Sequence, residues 1–193
     1  MLQGEESRNG DMTLVALGSN APSIVGDPRA TVLAALAEIQ RHIGPVKSSQ
    51  LYQNPAFPAG AGPDFVNAAC AVQTERGAAD VLSILHRVEA DFGRMRMQRW
   101  GQRTLDLDLI AQGGQIAPNA KVWQHWAQLP PDEQAQIAPD QLILPHPRLQ
   151  DRSFVLVPLA DVAPEWTHPV TGLTVTQMRD ARPGDEIASV RAM

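Results

Sequence analysis

Two aspartates one residue apart, Asp106 and Asp108, sit in the run TLDLDLI at positions 104–110. The strict alternation of apolar and polar residues predicts a strand. Leu105, Leu107 and Leu109 would face one side and both carboxylates the other, with their Cα atoms about 6–7 Å apart. Two carboxylates this close repel each other unless a cation lies between them. Mg²⁺ suits such a pair, because it binds one or two carboxylates and completes its octahedron with waters and phosphate oxygens. A solvated strand face is the plainer alternative, and the stretch just upstream weighs against it. Arg94, Arg96, Arg99 and Arg103 fall within ten residues, and no acidic residue lies between Gly93 and Thr104. Guanidinium forks bind phosphate oxygens in pairs, so an arginine-rich loop running into paired carboxylates reads as a polyphosphate site. Trp100 interrupts the basic run. A tryptophan there either caps something planar or latches the loop to the core.

A second group lies earlier in the chain. Phe65 and Asn67 are two apart on a predicted strand and share a face, and an aromatic ring beside an amide suits a flat, hydrogen-bonding heterocycle. An amide lying over a core Phe is the structural alternative. His146 stands between prolines in Leu144-Pro145-His146-Pro147, which keep it out of a helix. Arg152 and Phe154 follow closely, and a lone His of this kind is more often structural.

The elements that would position these residues follow from periodicity. Residues 12–17, MTLVAL, read as a buried strand closed by Gly18-Ser19-Asn20. Asp27-Pro28 is an N-cap followed by Pro at the first helical position. Val32, Leu36, Ile39 and Ile43 then mark one helical face up to Gly44-Pro45. Residues 47–53 predict an edge strand, 54–63 an irregular loop and 65–74 a third strand. Val81, Leu85, Val88 and Phe92 predict a second helix ending at Gly93. The order strand–helix–strand–strand–helix–strand gives an α+β fold of ferredoxin-like type, an antiparallel sheet with helices packed on its faces. Beyond it, a short helix at 132–137, a strand at 141–144, and a helix or extended piece at 153–162 are expected.

Composition narrows the class. The chain has 193 residues, of which 44% are hydrophobic and 19% charged, enough for one core. A net charge of −5 disfavours nucleic-acid binding across the surface. A single cysteine, Cys70, leaves neither an internal disulfide nor a CxxC zinc site. No apolar stretch approaches the roughly 18–20 residues of a membrane helix. Residues 1–11 read as a flexible polar tail, and 12–193 as a single domain with an insertion near 115–140 that packs beside the core and supplies no catalytic group. A cytoplasmic monomer is expected, with no nucleic-acid or membrane partner.

The sequence resembles the 6-hydroxymethyl-7,8-dihydropterin pyrophosphokinases of folate biosynthesis. The resemblance is carried by Leu17-Gly18-Ser19-Asn20, by Asn54-Pro55 with Asp64-Phe65-Val66-Asn67, by Glu89 with Phe92-Gly93-Arg94-Met95-Arg96, by the unbroken run Arg99–Asp108, and by Leu144-Pro145-His146-Pro147 with Arg152-Ser153-Phe154. These occur in family order over residues 13–165, and the run Arg99–Asp108 is highly specific. Pro147 stands where an aromatic is often found, and residues 115–140 are longer than the corresponding hairpin.

The resemblance implies transfer of pyrophosphate from ATP to the hydroxymethyl group of the reduced pterin, releasing AMP. It implies that Asp106 and Asp108 ligate two Mg²⁺ ions and that Arg94 and Arg103 contact the transferring phosphates. Glu89, Arg96, Arg99, Trp100, His146 and Arg152 would line or close the ATP site. Asn54, Pro55, Phe57, Phe65, Asn67, Trp100 and Phe154 would hold the pterin. Three rivals are a relative that binds without turnover, an RNA-binding module and a kinase releasing ADP. No GxxxxGK[ST] loop supports the last.

Overall fold

β1 (Met12–Ser19) and β4 (Phe65–Gln73) pair antiparallel along the whole of β1, from Met12 opposite Gln73 to Ser19 opposite Val66. Both are buried almost throughout and form the middle of the sheet. The computed structural model describes residues 12–56, 62–93, 103–130, 133 and 137–193. The expected N-terminal tail lies outside them. β5 (Asp106–Gln112) lies against β1, and β2 (Val46–Ser48) and β3 (Tyr52–Asn54) lie on the far side of β4. β6 (Arg191–Ala192) adds to β3, giving six strands in all.

The expected single strand over 47–53 is two strands. Between them the Ser49 amide donates to the Ala69 carbonyl at 2.8 Å, and the Ala69 amide donates to Ser49 Oγ at 2.9 Å. A hydroxyl thus takes a place in the ladder, and the chain turns out and returns.

α1 (Pro28–His42) starts where the Asp27 side chain accepts the Ala30 amide at 2.8 Å. Its deepest face carries Val32, Ala35 and Ile39. Leu36, expected on that face, is only partly buried, and Ala35 takes the deeper position. Gly44 ends the segment at φ +155, and a Cβ there would lie 2.6 Å from the Gln73 carbonyl oxygen, so only glycine fits. α2 (Ala78–Asp91) buries Val81, Leu85 and Val88, and Phe92 just beyond its end.

α1 and α2 cover one face of the sheet, over Val15, Leu17, Cys70, Leu107 and Leu109. The other face carries a second core. There α4 (Ser153–Val162) packs Leu156 and Leu159 with Trp166 and Met178 over Leu14, Ala16, Ala69, Ala71 and Ile110. Burying each of these leucines contributes roughly 1.5–3 kcal/mol. The segment at 153–162 is therefore a helix, and it accommodates Pro158. The α+β sandwich expected from the element order is the fold observed.

The insertion region differs from expectation. It carries a helix not expected from the sequence, α3 (Ala120–Gln128), capped by Asn119 Oδ1, which accepts the Val122 amide at 3.0 Å. Of 132–137, only Glu133 and Ile137 are described, joined by a hydrogen bond from the Ile137 amide to the Glu133 carbonyl at 3.1 Å. Residues 141–144 form no strand. Leu144 makes one isolated bridge to Ala117, and Pro145 and Pro147 have no amide to extend a ladder. After residue 165 come α5 (Val175–Asp180), opened by a Thr174–Gln177 capping box, and α6 (Gly184–Ser189). No helix among the described residues is long and apolar enough to cross a membrane.

Candidate active site

One face of the sheet changes character halfway along. Under α4 it is apolar. Beyond α4 the same face carries Asp108 and Asp106 on β5, Gly18 on β1, and Asn67 and Phe65 on β4. Register fixes this row: Gly18 lies opposite both Asp106 and Asn67, and Ala16 lies opposite Asp108. A Cβ on residue 18 would sit 3.0 Å from Asn67 Oδ1 and 3.8 Å from the Phe65 ring. Glycine thus lets the Asn67 side chain and the Phe65 ring lie close over β1, next to the carboxylates.

The carboxylates face the same side, as the alternation predicts, and Leu105, Leu107 and Leu109 are buried opposite. Each is met by an arginine. The Arg103 guanidinium donates to Asp106, and Arg152 Nη1 donates to Asp108 Oδ2 at 3.2 Å. All four side chains are partly exposed, between 19% and 34%. Pairs of this exposure are worth about 0–1 kcal/mol and exchange readily for other partners. Arg152 also lies 5.9 Å from the centre of the Phe154 ring, which ties that exposed aromatic to the site.

β5 is the end strand of the sheet, and two groups close its open edge. Glu89, 2% exposed on α2, accepts the Leu107 amide at 2.7 Å. The His146 amide donates to the Ile110 carbonyl at 2.7 Å. Glu89 therefore lines the site and also holds the strand that bears the aspartates. His146 Nδ1 accepts the Arg148 amide at 3.1 Å, so the neutral ring carries its proton on Nε2. Burial, helped by the Arg152 and Arg148 charges and opposed by Asp106, holds this imidazole well below its ordinary pKa.

Ser19 and Asn20 do work that no local sequence signal indicated. Ser19 Oγ donates to the Thr104 carbonyl at 2.6 Å. The Asn20 amide donates to the Arg103 carbonyl at 3.0 Å, and Asn20 Oδ1 accepts the Arg103 amide at 2.8 Å. Asn20 Nδ2 also reaches the Pro63 carbonyl at 3.3 Å. One buried asparagine thus fastens both the end of the basic stretch and the end of the loop before β4.

Asp106, Asp108, Glu89, His146 and Arg152 line a single cavity of about 540 Å³. Arg148, not singled out from the sequence, lines it too, as do Trp126 and Ile137 from the 115–140 segment. Asn54 joins the Asn67 side: Asn67 Nδ2 donates to Asn54 Oδ1, and Asn54 Nδ2 donates to the Pro55 carbonyl at 2.9 Å. Phe57, Arg94, Arg96, Arg99 and Trp100 lie outside the described residues.

The donor set limits what metal could be held. No group of three or more His, Cys, Asp or Glu side chains converges among the described residues. Two partly exposed carboxylates beside arginines do not make a closed zinc site. They fit a hard cation that arrives with phosphate ligands of its own.

The comparisons agree with this arrangement. The chain is 38% identical over 154 residues to a 2-amino-4-hydroxy-6-hydroxymethyldihydropteridine pyrophosphokinase of Pseudomonas aeruginosa, covering 78% of this chain and 80% of the relative. It is 34% identical over 167 residues to the Synechocystis protein of the same name, covering 86% and 73%. The fold is shared with the wild-type HPPK-DHPS of Plasmodium falciparum, with a TM-score of 0.57 at 13% identity, over 88% of this chain. The chain spans 44% of that longer protein. The sequence profile of 7,8-dihydro-6-hydroxymethylpterin-pyrophosphokinase (HPPK) matches residues 14–164 and takes in both sides of the site, so the chain belongs to the HPPK family.

Proposed function

We propose that the chain transfers pyrophosphate from ATP to 6-hydroxymethyl-7,8-dihydropterin, releasing AMP and forming the pterin diphosphate used in folate biosynthesis. The observation that carries this reading is the row Asp106–Gly18–Asn67. It sets a carboxylate–arginine cluster beside an amide and an aromatic ring on one face of the sheet, with only glycine between them in the row.

In this reading the pterin lies with its ring near Phe65 and Phe154, and its polar edge meets Asn67 and Asn54. Pro55 and Phe57 belong to the loop beside it. The triphosphate lies toward Asp106 and Asp108. The two carboxylates would hold Mg²⁺, two ions in the family resemblance, and the bound metal supplies charge neutralisation to the phosphates. Arg103 and Arg152 leave their aspartates for phosphate oxygens, an exchange of one anion for another at small cost. Neutral His146 offers Nε2–H as a donor without adding charge. Glu89 keeps β5 in place, so the carboxylates stay in register with Gly18. Arg94, Arg96, Arg99 and Trp100 belong to the stretch that would close over the nucleotide and exclude water.

The pterin hydroxymethyl oxygen attacks the β-phosphorus, the bond from that phosphorus to the α–β bridging oxygen breaks, and AMP leaves. Such a step needs little covalent help; positioning and charge stabilisation dominate. The chain acts as a cytoplasmic monomer in this account. The test is to incubate it with ATP, Mg²⁺ and hydroxymethyldihydropterin and identify the nucleotide product. AMP in step with pterin diphosphate is expected. ADP as the main product overturns the reading, and the absence of AMP favours a binding protein without turnover.

A further inference from the structure

The cavity has a part that the reaction just described does not use. Beside Asp106, Asp108 and Arg152 it is lined by Trp126 and Ile137, both from the 115–140 segment. Tryptophan and isoleucine are poor partners for phosphate. They offer a flat aromatic face and an aliphatic surface, the chemistry that receives the face of a purine.

Trp126 stands on a helix whose position relative to the site is fixed. Trp123, one turn earlier on α3, is buried and donates Nε1–H to the Pro145 carbonyl at 2.7 Å. That carbonyl belongs to the residue just before His146, which lines the same cavity. Trp123 also meets the His168 ring edge-on at 5.0 Å. It therefore fixes α3 against the site, while Trp126, edge-on to the His125 ring at 6.2 Å, is only partly buried and lines the cavity. The base of the segment is held by the paired hydrogen bonds between Ala117 and Leu144, at 2.9 and 3.1 Å.

We propose that Trp126 is a specificity-determining residue that receives the base of the nucleotide by stacking, with Ile137 beside it. α3 is then a wall of the nucleotide site. This rests on the reading of the cavity as an ATP site. It predicts that affinity for the base can be removed while affinity for the phosphates stays.

The test measures binding by calorimetry with Mg²⁺ and two probes: α,β-methylene-ATP, which cannot be cleaved at the reacting bond, and inorganic tripolyphosphate, which has no base. Base–aromatic stacking is worth about 1–3 kcal/mol, so W126A should bind the nucleotide analogue about 5- to 150-fold more weakly. Tripolyphosphate should bind within twofold of the wild type, and W126F should restore analogue affinity to within threefold. The proposal is overturned if W126A binds the analogue as the wild type does. It is equally overturned if a variant with unchanged melting temperature loses both ligands in parallel. Should W126A fail to fold, W126L decides: it keeps apolar bulk without a flat face, and must weaken the analogue where W126F does not. Wild-type protein that binds neither probe and forms no AMP overturns the pyrophosphokinase reading and this proposal with it. AMP formation with an indifferent W126A overturns this proposal alone.

Discussion

Asn20 offers the sharpest separation between holding the fold and holding the site. Asn20→Ala keeps the main-chain bond to the Arg103 carbonyl and removes two side-chain bonds, from the Arg103 amide at 2.8 Å and to the Pro63 carbonyl at 3.3 Å. Each contributes about 1 kcal/mol, and the Arg103 amide loses its acceptor, so the expected loss is roughly 2–3 kcal/mol. For a chain of this size that lowers Tm by about 4–12 °C. The kinetic loss should be larger. Both freed ends belong to stretches that would touch substrate, and small misplacements of positioning groups can cost about a hundredfold. Well below the melting point, kcat/KM should fall by about tenfold or more for ATP and for pterin alike.

Asn20→Asp divides the effect. It keeps an acceptor for the Arg103 amide but sets a carboxylate against the Pro63 carbonyl where an N–H donated before. The pterin KM should then rise while the Kd for α,β-methylene-ATP stays within about threefold, a difference below roughly 0.7 kcal/mol. Thermal melting, steady-state kinetics in each substrate and calorimetry read these quantities. If Asn20→Ala lowers Tm but leaves both kcat/KM values intact, Asn20 is only structural and the account of the two loop ends is wrong.

Asp106→Ala and Asp108→Ala should each fold with stability changed by about 1 kcal/mol or less, because the carboxylates make part-exposed pairs. Each should lower turnover by orders of magnitude, and near-normal activity at ordinary Mg²⁺ would refute the role given to the pair. Arg94→Ala, in the stretch outside the described residues, should lower kcat by roughly 2–4 kcal/mol in the barrier, with the ATP Kd moving less than about tenfold; lost ATP binding with normal residual turnover would make it a ground-state anchor instead. His168 is fully buried, its Nδ1 accepts amides from Val170 and Thr171 at 3.2 and 3.3 Å, and burial pushes its pKa down to about 4. Its contribution to stability is therefore complete above about 6.5, the unfolded value, and is lost as pH falls toward 4, by up to roughly 1.4 kcal/mol per pH unit. Melting curves of the wild type and His168→Gln over that window should differ in slope, and equal slopes would remove His168 as the cause.

What could be read from the sequence and what could not divide along a physical line. The carboxylate pair was visible because a strand of period two writes its two faces into adjacent letters, and leucines mark which face is buried. α1 and α2 were visible because their caps and apolar steps are local. The split at Ser49 was not, since a hydroxyl in place of a ladder partner leaves no periodic trace. α3 was missed because its two tryptophans serve different surroundings, one the core and the other a cavity, so they mark no single stripe. The clamp from Ser19 and Asn20 to Thr104 and Arg103 joins residues more than eighty positions apart, and nothing near either end announces it. Glu89 shows how the two kinds of information meet. The family resemblance puts the Glu89 carboxylate at the nucleotide site, and it does line the cavity. Its oxygen is nevertheless bonded to the Leu107 amide between the two aspartates, so the carboxylate spacing on β5 depends on a residue in the preceding helix. A strand at the edge of a sheet has no neighbour to hold its register on the outer side. Placing the two aspartates there, with Glu89 and His146 closing that edge, leaves their side chains partly exposed while their backbone stays fixed.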